Sequence, residues 1–182
     1  MSRSVPVDAP EGLIHREQFL SADDEELLLA RLQALRFDPI VMHGQEARRT
    51  ARHFGLDYDY ERRMPKEGDP LPDWLESVRE AAAELARLRP DELVEVLIQR
   101  YPVGSTIGWH RDAPAFGIVV GISLAGACRM RFRLVRDTKH VWETLLERRS
   151  AYVLRGAARW SWQHSIPATK EERLSITFRS LR

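Results

Sequence analysis

The feature that most limits the fold is a series of strand-like segments that occupies most of the chain after Pro90. Turns separate these segments, and two helical patterns precede them. Helices first and strands afterwards favour an antiparallel β-sandwich or barrel with helices packed on one side, which is an α+β fold. The predicted strands are Leu93–Tyr101, Ile118–Leu124, Cys128–Val135, Ala151–Arg155, Arg159–Ile166 and Arg173–Arg179.

The part of the chain before Pro90 carries the predicted helices. Ser21 is a suitable N-cap, and the acidic residues after it lie in the first turn, where the helix dipole favours negative charge. This helix is expected to run to about Leu35. A second is predicted over Asp73–Leu88, where apolar residues recur at steps of three and four. We also expect a strand at Leu13–Leu20, strands joined by turns at 39–60, and a loop at 64–72.

Composition limits the class of protein. The chain has 182 residues, and at roughly 150 residues per domain we expect a single domain. Hydrophobic residues make up 43% and charged residues 30%, which excludes a wholly disordered chain. A net charge of +1 excludes a histone-like polycation. Cys128 is the single cysteine, so no intrachain disulfide can form, and we expect a cytoplasmic protein. We expect neither a membrane span nor a secretory signal, because the apolar stretches are short.

His110 and Asp112 form the first candidate for a metal site. Residues two apart lie on the same side of an extended backbone, so both side chains can bind one ion. His164 lies near the end of a later strand-like segment and completes two histidines and one carboxylate. That is the facial triad of non-haem iron(II) oxygenases, which leaves positions open for a chelating cosubstrate and O2. His15 and Glu17 have the same spacing, but this pair has no comparable strand-like segments that would complete a metal site. We therefore treat it as a decoy, that is, a chance match to the motif that binds no metal.

The segment RLSITFR near the end of the chain has one polar and one apolar face. Arg173, Ser175, Thr177 and Arg179 share one face of the predicted strand, because side chains alternate. Such a face suits a pocket for an anionic ligand, and a half-exposed strand with solvated arginines is the alternative. Six residues of strand span about 20 Å. Both arginines therefore reach one small dicarboxylate only if the strand bends or their side chains converge.

Taken together, these motifs resemble the AlkB-type family of iron(II)- and 2-oxoglutarate-dependent dioxygenases. The resemblance covers about residues 48–182 and depends on the order of the motifs. These are Arg100-Tyr101 followed by Pro102 and Gly104, then His110-x-Asp112, then His164, then Arg173 and Arg179 six residues apart.

The resemblance implies a double-stranded β-helix, or jelly roll, with an N-terminal region that covers the substrate. It implies helices and a substrate lid in residues 1–90 and the catalytic core in 91–182. It also implies Fe(II) as cofactor, with 2-oxoglutarate and O2 as cosubstrates, in a protein we expect to be monomeric. His110, Asp112 and His164 would bind the iron. The residues expected around 2-oxoglutarate are Tyr101 and Arg173 at its far carboxylate, Arg179 at the near side, and Gln99 and Ser175 beside them.

Two positions depart from the pattern of the well-known repair members of the family. Gln99 stands where those members have Asn, and Pro114 stands where they have an acidic residue two positions after the metal-binding Asp. That acidic residue helps those members recognise the damaged base. The departure at Pro114 leaves the iron chemistry intact and bears on the choice of substrate.

Two segments combine arginine with aromatic or apolar residues. In the segment 47–63, Arg48, Arg49, Arg52 and Tyr58 could hold phosphates and stack unpaired bases. The resemblance places a nucleotide-recognition lid there, and a solvated, charge-paired hairpin is the alternative. Trp109 is included with these substrate residues because it flanks a metal ligand. In the second segment, Arg129, Arg131 and Arg133 alternate with Cys128, Met130 and Phe132, as expected for a backbone-binding track or simply an exposed sheet face.

These observations predict an enzyme that oxidatively dealkylates bases of DNA or RNA, acting on a single-stranded or flipped base. The first alternative is a 2-oxoglutarate-dependent hydroxylase of a protein, a tRNA or a small molecule. The second alternative is a non-catalytic β-barrel that binds RNA through its arginine-rich surfaces.

Overall fold

The described part of the chain folds into two antiparallel sheets and three helices. The computed structural model describes residues 8–42, 44–59 and 64–182. The helices are α1 (Ala22–Gln33), α2 (Glu76–Ala86) and α3 (Gly156–Trp160). The strands are β1 (Leu13–Arg16), β2 (Asp38–Met42), β3 (Gln45–Asp59), β4 (Met64–Glu67), β5 (Leu93–Tyr101), β6 (Ile107–His110), β7 (Phe116–Leu124), β8 (Cys128–Leu134), β9 (Val141–Leu146), β10 (Ala151–Leu154), β11 (Trp162–Ile166) and β12 (Arg173–Leu181).

The larger sheet has the strand order β1-β10-β7-β12-β5-β3-β2, with β4 added to β3, and the smaller sheet has the order β6-β11-β8-β9. Two apolar clusters flank the larger sheet. One packs α1 and α2 on its outer face, and the other, which includes Phe132 and Trp162, lies between the two sheets. This arrangement confirms the predicted α+β fold with a jelly-roll core and helices packed on it.

Strand β12 shows how the sequence pattern determines the layers. It lies between β5 and β7 and pairs with both. Its apolar residues Leu174, Ile176 and Phe178 are buried in the cluster beneath α1 and α2. The alternating polar residues face the space between the sheets, as the pleat requires.

The predicted start of α1 is confirmed. The Ser21 side chain accepts a hydrogen bond from the Asp24 backbone N–H at 3.0 Å, and the Asp24 carboxylate accepts one from the Ser21 N–H at 3.4 Å. This capping box satisfies two backbone donors at the helix end. The predicted second helix begins with a 3-10 turn at Asp73–Leu75 and continues as α2.

Several local predictions were wrong. The strand predicted from Leu13 ends at Arg16, because Gln18 has a positive φ of 47° in the turn that follows. The segment predicted as a strand from Arg159 begins with α3, and β11 starts only at Trp162. The start of the loop predicted at 64–72 is β4, which pairs with β3. Strands β6 and β9 were not predicted.

Strands from the first 90 residues belong to the larger sheet. β1 pairs with β10, and β3 pairs with β5. The first 90 residues and the rest of the sheet are thus joined by backbone hydrogen bonds as well as by packing. In the described ranges, no helix has the length and apolar character that a membrane crossing requires.

Candidate functional site

A pocket between the two sheets collects the residues predicted to bind metal and cosubstrate. Strands β5 and β12 of the larger sheet form one wall, and β6, β8 and β11 of the smaller sheet contribute to the other. The lining residues are Gln99, Tyr101, Ile107, His110, Asp112, Met130, Tyr152, His164, Ile166, Arg173, Ser175, Thr177 and Arg179.

The pairing of β6 with β11 brings the two predicted histidine ligands together. His110 and His164 are register partners, and their ring centroids are 4.3 Å apart. His164 Nε2 lies 3.6 Å from Asp112 Oδ2. His110 Nδ1 lies 2.9 Å from the Gly108 carbonyl oxygen. Because a carbonyl only accepts, this contact makes Nδ1 the donor and leaves the Nε2 lone pair for a ligand.

Burial sets the charge states of these groups. It lowers the pKa of His164 to about 3, with a further contribution from neighbouring His110. His164 is therefore a neutral imidazole at physiological pH, the form that binds a metal. Burial alone would raise the pKa of Asp112, but the nearby Arg179 guanidinium and the two histidines hold that pKa well below its usual range. Asp112 is therefore a carboxylate.

The donor set fits Fe(II) by its chemistry. In the described residues, no three His, Cys, Asp or Glu side chains already lie close enough together to bind one metal ion. The fit therefore rests on the type of ligand and on the distances between the donors. Two neutral imidazoles and one carboxylate are the ligands that non-haem Fe(II) oxygenases use. The ligands of a facial triad meet at the metal at about right angles, so donors bound at about 2.0–2.2 Å lie about 3 Å apart. His164 Nε2 and Asp112 Oδ2 lie 3.6 Å apart, so a small side-chain shift would bring both donors to one ion.

Arg173 provides an independent indication of an anionic ligand. Its side chain is only 2% exposed. Its Nε donates to Ser123 Oγ at 2.7 Å, and the guanidinium lies 4.9 Å from the Tyr101 ring centroid. Its Nη1, however, is buried without a hydrogen-bond partner. A buried donor left unpaired costs about 1–3 kcal/mol, and a carboxylate in the pocket would pair with it.

The other predicted cosubstrate residues surround this position. The Tyr101 hydroxyl donates to Gln99 Oε1 at 2.7 Å. Arg173 pairs in register with Tyr101, and Ser175 pairs with Gln99. Ser175 is buried and lines the pocket. The structure thus brings Gln99, Tyr101, Arg173 and Ser175 together, and their roles toward 2-oxoglutarate remain predictions.

Arg179 lies at the metal-ligand end of the pocket. Its Nε donates to Asp112 Oδ1 at 2.9 Å, and its Nη1 donates to both Glu95 oxygens at 2.9 Å. Glu95 is itself buried at the register position opposite Arg179. Contact between Arg179 and the cosubstrate remains a prediction, whereas its bonds to Asp112 and Glu95 are part of this structure.

Sequence reasoning missed several residues that shape the site. Arg159 of α3 donates to the carbonyl oxygens of Ala113, Phe116 and Gly117 at 2.7–2.9 Å, and so holds the turn that follows Asp112. Gly121 leaves room for the ring of Tyr152, since a Cβ there would lie 2.3 Å from it. The roles of Ser123 and Glu95 depend on pairing between distant strands, and no local motif marks them.

Arg48, Arg49, Arg52 and Trp109, which were predicted to bind substrate, are not among the residues that line this pocket. Arg48 is exposed, Arg49 Nη1 donates to the Thr106 carbonyl oxygen at 3.1 Å, and Arg52 forms a salt bridge with Asp69. Tyr58 lies in β3, and residues 60–63 of the predicted lid lie outside the described residues. Trp109 contacts Arg131 and Arg133 of β8. The charge-paired alternative thus applies to Arg52.

Known proteins share both the fold and parts of the sequence. The chain is 28% identical over 179 residues to the tRNA (carboxymethyluridine(34)-5-O)-methyltransferase ALKBH8 of Macaca fascicularis, covering 91% of this chain and 26% of that protein. It is 26% identical over 193 residues to the alkylated DNA repair protein ALKBH8 homolog of Arabidopsis thaliana, covering 90% of this chain and 53% of that protein. The chain spans about a quarter of the length of the methyltransferase relatives it matches.

The solved structure of OsALKBH1 superposes with a TM-score of 0.71 at 19% identity, covering 96% of this chain and 99% of that one. A Pseudomonas putida prolyl-4-hydroxylase superposes with a TM-score of 0.65 at 15% identity, covering 94% and 93% of the two chains. At these identities the superpositions show the fold alone. The model of the 2OG-Fe(II) oxygenase superfamily matches residues 13–179. The chain therefore belongs to the 2OG-Fe(II) oxygenase superfamily, the class of dioxygenases that uses Fe(II), 2-oxoglutarate and O2, and its sequence is similar to that of ALKBH8 proteins.

Proposed function

We propose that this dioxygenase oxidises an alkylated base in a nucleic acid and so removes the alkyl group. What supports this substrate class is the set His110, Asp112, His164 and Arg173 in one pocket, in the order that AlkB-type proteins have. The names of two relatives, one a tRNA methyltransferase and one an alkylated DNA repair protein, point to nucleic acid as well.

Each residue of the pocket has a separate task in this proposal. His110, His164 and Asp112 would hold the iron, and Arg173 with Tyr101 would hold the far carboxylate of 2-oxoglutarate. When bound, Fe(II) would supply the oxidation in which 2-oxoglutarate loses CO2 and becomes succinate with one atom of O2, while the other atom hydroxylates the N-alkyl carbon, which then leaves as an aldehyde and restores the base. Apolar neighbours from the cluster between the sheets exclude water from this chemistry.

The burial of the site determines the form of the substrate. His164 is 7% exposed and lies between two sheets. A base stacked in a duplex cannot approach such a position, so the target base would be flipped out or already single-stranded. An alkylated base in a single-stranded oligonucleotide is therefore expected to react faster than the same base in a duplex.

The test is a direct assay of the product. The protein is mixed anaerobically with Fe(II), 2-oxoglutarate and a panel of methylated DNA and RNA oligonucleotides, and the reaction is started with air. Mass spectrometry should show loss of the methyl group together with succinate. Oxidation of peptides or free metabolites, with every oligonucleotide unchanged, would contradict the proposal.

A hydroxylase of a protein, a tRNA or a small molecule is the second candidate. Pro114 favours it, because an acidic base-reading residue is missing at that position. In the same assay a tRNA hydroxylase would add one oxygen atom and retain the alkyl group. The non-catalytic RNA-binding β-barrel does not fit a chain that belongs to this superfamily of oxygenases.

A further inference from the structure

The outer face of the smaller sheet carries two arginines that form no salt bridge with a carboxylate of the described residues. His110, His164 and Phe132 face the space between the two sheets. Side chains alternate along a strand, so the neighbours of these residues point to the outer face of the smaller sheet. On this outer face β8 places Arg131 and Arg133, which pair in register with Ser165 and Gln163 of β11.

Both guanidiniums are held in the same way. Arg131 Nε donates to Ser165 Oγ at 3.3 Å, and Arg133 Nε donates to Gln163 Oε1 at 2.9 Å. Both also stack on Trp109, with the Cζ atoms 5.1 Å and 4.4 Å from the ring centroid. Each side chain is thereby fixed in position before any ligand arrives, which reduces the entropy lost on binding.

The acceptors that hold these two arginines are neutral, whereas other arginines of the protein pair with carboxylates. Arg100 pairs with Glu172 at 2.9 Å. Arg129, on the same strand and face, lies 3.5 Å from Glu143. Glu143 pairs in register with Arg131, but its carboxylate forms its salt bridge with Arg129. The Nη atoms of Arg131 and Arg133 donate no hydrogen bond to any described residue. Like charges on side chains two residues apart repel each other, and an anion bound to each of them would reduce that repulsion.

We propose that Arg131 and Arg133 form a phosphate-binding fork for the backbone of a single-stranded nucleic acid. Fixed guanidiniums with outward Nη groups can bind phosphate oxygens in a bidentate manner. Their spacing along the strand is about 7 Å, so each arginine can bind a separate phosphate. The inference rests on the proposed function, because it takes the substrate to be a nucleic acid.

The position of the fork relates it to the active site. β6 is the edge strand of the smaller sheet. Trp109, beneath the fork, precedes the predicted ligand His110 in that strand, and their side chains point to opposite faces. The fork on β8 is separated from β6 by β11, so a backbone bound to it lies on the face of the sheet opposite to the pocket that would receive the base.

The test measures the affinity of a fluorescent single-stranded oligonucleotide across a range of salt concentrations. Removing one phosphate contact should lower the slope of log affinity against log salt by about 0.7. Arg131→Gln and Arg133→Gln should each show this decrease, and the double variant should show about twice as much. Arg129→Gln is the matched control, since Glu143 already pairs with that arginine, and its slope should remain unchanged.

Substitution by lysine separates charge from geometry. Arg131→Lys and Arg133→Lys retain the charge, so the slope should stay near that of the unmodified protein. The affinity should still fall several-fold, because lysine lacks the planar fork. Succinate formation without nucleic acid should be unchanged in all these variants, because neither arginine lines the pocket.

The possible outcomes separate the two proposals. If the unmodified protein dealkylates oligonucleotides and the double glutamine variant keeps the same salt slope, the fork is wrong and the proposed function stands. If the fork variants lose oligonucleotide affinity but no base is ever modified, the fork stands and the proposed function fails. An unmodified protein that binds acidic peptides or anionic vesicles but no oligonucleotide would overturn both.

Discussion

At the scale of single residues, Arg173 gives the sharpest test of the cosubstrate site. Its buried Nη1 has no partner, while its Nε is fixed by Ser123. Arg173→Lys would lose both the fork geometry and the Ser123 contact. A hydrogen bond to a charged group contributes about 1.5–3 kcal/mol, so the KM for 2-oxoglutarate should rise by about 10- to 150-fold. Steady-state assays of succinate formation measure this.

The matched control is Arg100→Lys in β5. Arg100 also pairs across β5 and β12, but its contact with Glu172 is exposed. We expect the Arg100→Lys variant to have the same KM for 2-oxoglutarate as the unmodified protein. An equal KM in Arg173→Lys and the unmodified protein would mean that the carboxylate binds elsewhere.

Asp112 provides the only negative charge among the three proposed iron ligands. Asp112→Ala should abolish succinate formation and remove the rise in Tm that a divalent metal gives the unmodified protein. Glu17→Ala is the control, because Glu17 belongs to the decoy pair with His15 and is exposed. Metal-dependent stabilisation that survives in Asp112→Ala would contradict the proposed ligand set.

At the scale of elements, α3 supports the turn that carries Asp112. The Arg159 guanidinium reaches the carbonyl oxygens of this turn, and Arg111 donates to the Trp160 carbonyl oxygen at 2.8 Å. Arg159→Gln should lower the free energy of unfolding by about 2–3 kcal/mol, because several buried carbonyls lose a charged donor. It should also weaken metal binding.

Urea unfolding and metal titration check this expectation. Arg155→Gln, at the N-cap of the same helix, is the control, since its side chain donates no hydrogen bond to any described residue. If the two variants lose equal stability, Arg159 has no special role in holding the turn.

The sequence predicted the structure of an element correctly where the order of residues within that element determines its fold. The polar and apolar faces of β12 follow from simple alternation, and the metal-ligand candidates follow from a spacing of two in an extended chain. Strand β6 has only four residues and was missed, because its pairing with β11 stabilises it. Arg159 and Trp160, the last two residues of α3, were predicted as strand for a similar reason, since the carbonyl oxygens that accept hydrogen bonds from Arg159 come from a distant loop.

The site could be predicted where local sequence motifs mark its residues, and not where its contacts depend on pairing between distant strands. The positions of His110, Asp112, His164 and Arg173 were indicated by motif order. The bond of Arg179 to Glu95 was not, because it depends on the register between β12 and β5. The bond of Arg179 to Asp112 was not either, because it depends on how the segment after β6 approaches the larger sheet. A one-residue shift of that register would turn Glu95 away from the pocket.

At the scale of the whole molecule, the stability of the metal-free protein should depend on pH through the buried site. Burial lowers the pKa of His164 to about 3, whereas an unfolded chain has a histidine pKa of about 6.5. Between these values the unfolded state binds a proton that the folded state does not. The free energy of unfolding should therefore fall as the pH decreases below about 6.5, by up to about 1.4 kcal/mol per pH unit.

Asp112 acts with the same sign at lower pH, because its pKa is also below that of the unfolded chain. Urea unfolding of chelator-treated protein between about pH 7.5 and pH 4.5 measures the combined effect. His164→Gln should flatten the profile above pH 4.5, since the substituted side chain does not titrate. His140→Gln is the control, because His140 is exposed and pairs with Asp137 at 2.8 Å. A profile that remains as steep in His164→Gln as in the unmodified protein would show that other groups cause the acid sensitivity.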